Sequence, residues 1–155
     1  IDLLNEFPNT KHKKLLMQFH NWFHEFNPDI DSIESEKVIG SKKYKFGGTL
    51  DMACIKDGKC HIIDFKTTSG IYFSHELQLA AYKEAYTEIT GISDITTLIV
   101  RLGTRHKVGY EVKEVERPFK SFLNVYNSYL DLHEGKIPSP PVIDIYPDKL
   151  KVIEK

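Results

Sequence analysis

Apolar residues recur along this chain with two periods, and the switches between them mark its elements. From about Lys11 to Phe26 the stripe Leu15, Leu16, Phe19, Trp22, Phe23 and Phe26 has helical spacing. Thr10 is placed to cap this helix, and Asn27-Pro28-Asp29 ends it. The pattern then turns strand-like. Ile33 to Ile39 predicts a first strand, Ser41-Lys42-Lys43 its turn, and Tyr44 to Ile55 a second strand interrupted by Gly47-Gly48. Paired glycines inside a strand mark a bulge or a close approach by another group. Asp57-Gly58 supplies the positive φ angles of a tight hairpin turn, and Cys60 to Thr67 forms the third strand. Helical spacing returns from His75 to Ile89, capped by Ser74, with Leu77, Ala80, Ala81, Ala85 and Ile89 able to face a sheet. Thr97 to Leu102 and Gly109 to Val115 predict two more strands. Pro118 to His133 predicts a last helix closed by Gly135.

Helix, three meandering strands, helix, two strands and helix make an α/β fold, a mixed sheet of about five strands flanked by helices. No Gly-x-Gly-x-x-Gly motif or phosphate loop precedes a helix, which excludes a dinucleotide fold. The 155 residues suffice for one domain, 1–155. It comprises the first helix at about 11–26, a core at about 31–133 and a proline-rich extended tail at about 136–155.

Composition narrows this picture only slightly. A 41% hydrophobic and 28% charged chain is ordinary globular protein, and a net charge of −1 gives no global basic signal. Local cations are present in Arg101, Arg105, His106 and Lys107, a candidate phosphate-contacting patch or simply a solvated hairpin end. Cys54 and Cys60 flank the hairpin turn. A disulfide is conceivable there, but reduced thiols of an intracellular protein are the expectation. No second Cys/His pair has zinc-ligand spacing. No apolar run approaches the roughly 20 residues that span a membrane, and no signal peptide is visible.

The chemistry concentrates in the third strand. Residues i and i+2 of a strand share a face, so Asp64 and Lys66 emerge together while Ile63 and Phe65 turn away. Asp51, near the end of the preceding strand, brings a second carboxylate to the same region. Charges in so apolar a segment are costly unless paired, and a divalent cation between the carboxylates, with the ammonium beside it, would pair them. The plain alternative is a same-face salt pair of Asp64 and Lys66.

Gly48-x-x-Asp51, Asp64-x-Lys66-Thr67 and Gln78-x-x-x-Tyr82, in that order, resemble the PD-(D/E)XK nuclease superfamily, and within it the RecB-like and phage exonuclease branch. The motifs run from Gly48 to Tyr82, and the order of elements extends the likeness over most of the chain. The resemblance implies a restriction-endonuclease-like core and a metal-dependent DNA nuclease, exonuclease favoured, acting in repair, recombination or viral genome processing. It implies Asp51, Asp64 and Lys66 as catalytic residues. Mg²⁺, with Mn²⁺ able to substitute, would be held by Asp51, Asp64 and the Phe65 backbone carbonyl, with Glu36 a further candidate. Gln78, Tyr82 and Thr67 would contact substrate. The plain alternatives are a solvated or structural strand residue for Glu36, paired with Lys37 or Lys45, and helix surface for Gln78 and Tyr82. The branch commonly carries a histidine on an upstream helix, where His12, His20 and His24 lie in no convincing motif. DNA is the expected partner, with a recombination or replication protein and homo-oligomerisation left open. The expected location is the cytoplasm, the host's for a viral protein. The alternative is a non-catalytic nucleic-acid-binding module of the same fold.

Overall fold

The computed structural model describes residues 11–104 and 109–133. Two compact units divide the chain, Ile1–Leu123 and Asn124–Lys155. Thr10, Arg105, His106, Lys107, Gly135 and the proline-rich tail lie outside the described residues.

Element order in the first unit follows the pattern read from the sequence. Helix α1 spans Lys11–Phe26, β1 Glu34–Ser41, β2 Phe46–Lys56, β3 Lys59–Lys66, α2 Phe73–Thr90, β4 Ile95–Leu102 and β5 Tyr110–Glu114. Helix α3, Phe119–Leu132, crosses into the second unit. The five strands form one sheet in the order β1-β2-β3-β4-β5. Pairing is antiparallel except between β3 and β4, which are parallel and joined through α2. The expected α/β architecture, a mixed five-stranded sheet flanked by helices, is present.

Local chemistry sets the boundaries. Asn27 ends α1 at φ 50°, its amide bonded to the Phe23 carbonyl, before Pro28 blocks continuation. Gly91 closes α2 in the left-handed region with its amide on Thr87. Asp57 and Gly58 both have positive φ, the conformation that the β2–β3 hairpin turn requires. Helix α2 begins before Ser74, with Tyr72 at the N-cap, so Ser74 is a first-turn residue and not the cap.

Two apolar layers sandwich the sheet. On the α1 face, Trp22 packs with Met52, Cys54, Ile63, Leu98, Val100 and Leu102, with the Phe19 and Phe65 rings against it. On the α2 face, Leu79, Ala85 and Tyr86 meet Ile39, Leu50, Ile62 and Ile99. Full burial of such side chains contributes ~1.5–3 kcal/mol each. Two residues depart from the expected stripes: Leu16 and Ile89 are exposed, and Leu79 and Tyr86 occupy the buried face of α2. Cys54 and Cys60 are free and buried in opposite layers. Register explains this, for Cys54 lies opposite His61 and Cys60 opposite Ile55. A disulfide between them is thereby excluded.

Inside–outside alternation breaks once, in β1 and β2 together. Phe46, Leu50, Ala53 and Ile55 all face α2, while Met52 and Cys54 face α1, so the phase of β2 shifts between Leu50 and Ala53. In β1, Ile39 and Lys37 face α2, and so does Glu34, which accepts from the Tyr86 hydroxyl. Glu36, at φ 51°, is where β1 turns over. The pairs Ser35↔Met52 and Lys37↔Leu50 bracket it and place it opposite Asp51. A glutamate in the left-handed region costs ~1–2 kcal/mol.

Within the second unit, the described part of α3 is held by local bonds. Ser128 donates to the Asn124 carbonyl at 2.9 Å, and the Tyr129 and His133 rings lie 4.1 Å apart.

Candidate active site

Asp51 stands at the phase shift, where β2 parts from β3. The β2–β3 pairs run from Lys56↔Lys59 to Met52↔Ile63 and stop there. Beyond that point Asp51 Oδ2 accepts a hydrogen bond from the Phe65 amide at 2.7 Å, a side chain replacing a strand partner. β3 continues alone to Lys66, still paired with β4 on its other edge. The two strands therefore splay, with Asp51 on one lip and Asp64 on the other.

Asp64 has 2% of its surface exposed. Lys66 Nζ lies 2.8 Å from both of its carboxylate oxygens, but only Oδ1 has the directional geometry of a hydrogen bond. Asp64 Oδ2 is buried without a hydrogen-bond partner. Oδ2 thus has the Lys66 charge beside it but no directed hydrogen bond, which leaves it lone-pair capacity for a ligand. Burial pushes the Asp64 carboxyl above the usual carboxylate range. Lys66 and, more weakly, His75 oppose that shift, and the neighbouring charge of Asp51 adds to it.

Lys66 also donates to Gln78 Oε1 at 3.1 Å, and Gln78 Nε2 donates to the Tyr82 hydroxyl at 2.9 Å. A hydrogen-bonded chain thus runs Asp64–Lys66–Gln78–Tyr82 from strand to helix. The four-residue spacing of Gln78 and Tyr82 stacks them on one face of α2. The Tyr82 ring lies over Gly48, where an added Cβ would stand 2.8 Å from it. The Gly47-Gly48 pair is therefore a close approach, and the backbone irregularity sits at Glu36 instead.

Glu36 and Thr67 occupy looser positions. Glu36 is exposed and opposite Asp51, while Lys37 pairs with Glu34. Thr67 is exposed just beyond the end of β3, one residue outside the strand expected to include it. His12, His20 and His24 are exposed on α1, which packs on the opposite face of the sheet from Asp64 and Lys66. Among the described residues no group of three or more His, Cys, Asp and Glu converges as metal ligands.

Of two further residues near the site, the sequence reading missed His75 and took Arg101 only for part of a candidate phosphate-contacting patch. His75 lies one helical turn before Gln78, and that spacing was the available signal. Arg101 pairs in register with Lys66 on β4. Its guanidinium is bound to Glu111 and to the Thr68 and Ser69 carbonyls, at 3.5 and 3.2 Å, so it braces the β3–α2 loop. A separate groove of about 580 Å³ opens at the N-terminal ends of β3 and β4, lined by Lys59, Lys83, Glu84, Asp94 and Glu114 among others. It shares no residue with the splay.

The donor set at the splay fits a hard divalent cation. Two aspartates, one with a buried oxygen that takes no directed hydrogen bond, suit Mg²⁺, which needs few protein ligands because it keeps several waters. No helix among the described residues is long and apolar enough to cross a membrane.

No protein-family model and no curated protein sequence matches this chain. Among solved structures it is similar to SSO0001, at 18% identity and a TM-score of 0.46, over 76% of this chain. It is also similar to a protein from Eubacterium rectale described as a "putative exonuclease", at 14% identity and a TM-score of 0.46, over 92% of this chain. The chain spans 56% and 63% of the lengths of these two proteins.

Proposed function

We propose that this protein is a Mg²⁺-dependent DNA nuclease of the PD-(D/E)XK type, with exonucleolytic action favoured, serving repair, recombination or viral genome processing. The observation that carries the reading is the junction of Asp51 and Asp64 at the strand splay, with the Lys66 ammonium astride a buried carboxylate whose second oxygen takes no directed hydrogen bond.

Hydrolysis of a phosphodiester adds water across a P–O bond and leaves a phosphate monoester and a free hydroxyl. Asp51, Asp64 and the Phe65 carbonyl would hold the cation, which when bound polarises the phosphate and makes water a better nucleophile. Mn²⁺ has the same preference for oxygen donors and would substitute. Lys66 is a donor in both of its contacts, to Asp64 and to Gln78, which suits neutralising charge on the phosphate rather than accepting a proton. Gln78 fixes that ammonium, and Tyr82 fixes Gln78. Thr67, exposed one residue beyond Lys66, would contact a substrate phosphate.

The test is degradation of linear and circular DNA, single- and double-stranded, with Mg²⁺, Mn²⁺ or chelator, by wild type, Asp64→Ala and Lys66→Ala. Loss of metal-dependent degradation in both folded variants supports the reading, and attack on linear but not circular DNA supports exonucleolytic action. DNA binding without degradation by wild type would identify a non-catalytic module instead.

A further inference from the structure

The loop that follows the catalytic strand carries an exposed aromatic ring that is held in place. Tyr72 is 49% exposed, yet its hydroxyl is 2.6 Å from Ser69 Oγ and its ring meets the His75 ring edge-on at 5.3 Å. Gly70 lies beneath it, where an added Cβ would come within 3.8 Å of the ring. The Tyr72 amide donates to His75 Nδ1 at 3.2 Å, and Arg101 ties the same loop to β4. Phe73 is 53% exposed beside it, with the Arg117 guanidinium 4.9 Å over its ring.

Holding an aromatic side chain costs rotamer entropy, and leaving it in water forgoes its hydrophobic contribution. The Ser69, His75 and Gly70 contacts recover these costs only in part, because about half of Tyr72 stays exposed. A flat π-system laid on the ring would recover both. The location narrows the choice of ligand. Tyr72 lies six residues beyond Lys66, its partner His75 sits one turn before Gln78, and Arg101, in register with Lys66, holds the Ser69 carbonyl of the same loop. The ring thus stands on the loop that leaves the Lys66 end of β3, where a strand reaching the splay would pass.

We propose that Tyr72, with Phe73 beside it, is a stacking platform for an unpaired nucleobase of the DNA strand presented to Asp64 and Lys66. The proposal rests on the nuclease reading and adds a substrate class to it. Inside a duplex both faces of a base are covered by its neighbours, so a ring of this kind engages a single strand or a frayed end. Stacking tolerates any base identity, because every base offers a π-face.

The test is fluorescence anisotropy of wild type in chelator, where the DNA stays intact, with a labelled oligodeoxythymidylate and an abasic oligomer of equal length and charge. Wild type should bind the base-bearing strand more tightly. Tyr72→Ala should weaken that binding roughly fivefold or more while leaving the abasic oligomer unaffected, and Tyr72→Trp should restore it. Equal binding of the two oligomers by wild type overturns the proposal without using any variant. So does an equal loss on both oligomers in a folded Tyr72→Ala protein, or tighter binding of a blunt duplex than of the single strand. Loss of the base preference with metal-dependent degradation intact defeats this inference alone. An intact base preference in a protein that degrades no DNA defeats the nuclease reading alone.

Discussion

Asp51 Oδ2 accepts the Phe65 backbone amide at 2.7 Å, one step past the last β2–β3 pair. A single carboxylate thereby finishes the sheet edge and stands beside Asp64. These two duties respond differently to substitution. Asp51→Asn keeps an acceptor for the amide but removes the charge. Degradation should fall at least ~100-fold while stability, measured by urea unfolding, changes by less than ~1 kcal/mol. Asp51→Ala should lose the same activity and a further ~1–2 kcal/mol of stability, because the Phe65 amide is left unpaired.

Lys66→Met tests the buried pair. Without the ammonium, burial acts on Asp64 unopposed by its main counter-charge, and its carboxyl rises further above the usual range. Stability at neutral pH should drop by about 2–3 kcal/mol, less than for a fully buried pair because the Lys66 side chain is 18% exposed. Folded-state elevation means that protonated Asp64 is the form the fold favours. The deficit is therefore full above the raised value and vanishes as pH falls below the ordinary carboxylate range. Urea midpoints of wild type and variant across acid to neutral pH should converge at the acid end.

Divalent cations should stabilise the fold through Asp64 Oδ2. In thermal melts, Mg²⁺ or Mn²⁺ should raise the midpoint, with each tenfold excess over the dissociation constant adding ~1.4 kcal/mol. Asp64→Asn should abolish that response, whereas a shift of equal size in the variant would place the cation elsewhere.

Gly48→Ala should push the Tyr82 ring aside, since the new methyl would lie 2.8 Å from it. Overpacking of this kind costs about 1–3 kcal/mol. Displacing Tyr82 also frees Gln78 from its anchor and Lys66 from one of its two contacts. Combining Gly48→Ala with Tyr82→Leu should recover part of the stability but not the activity, a pattern read by urea unfolding alongside nuclease assay.

Glu36 holds a left-handed conformation that asparagine tolerates and β-branched residues do not. Glu36→Asn should leave stability unchanged or raise it by up to ~1 kcal/mol, and Glu36→Val should lower it by ~1–2 kcal/mol. Activity of the folded Asn variant then reports on the carboxylate alone.

Much of this site is legible in the sequence because period-two alternation dictates it. Asp64 and Lys66 share a face, and Phe65 turns into the opposite layer against Phe19 and Trp22. The four-residue step from Gln78 to Tyr82 likewise fixes their shared helical face. The turn at Asp57-Gly58 follows from backbone freedom at glycine. Tertiary choices were not legible. Nothing in Glu34-Ser35-Glu36-Lys37 announces a positive φ at Glu36, because that conformation is imposed by β1 and β2 turning over together. Arg101 resembles a phosphate-binding cation until its Glu111 and carbonyl partners are seen. Ile89 and Leu79 exchange roles because the contact face of α2 is set by where the sheet lies beneath it.

The joint turnover of β1 and β2 at Glu36 and Asp51 makes their hairpin a cassette with its own parity. Lengthening both arms by one residue beyond that point would send Leu50 and Ile39 to water, while lengthening both by two would preserve them. Transplants of the distal hairpin should therefore succeed only when each arm changes length by an even number of residues or not at all.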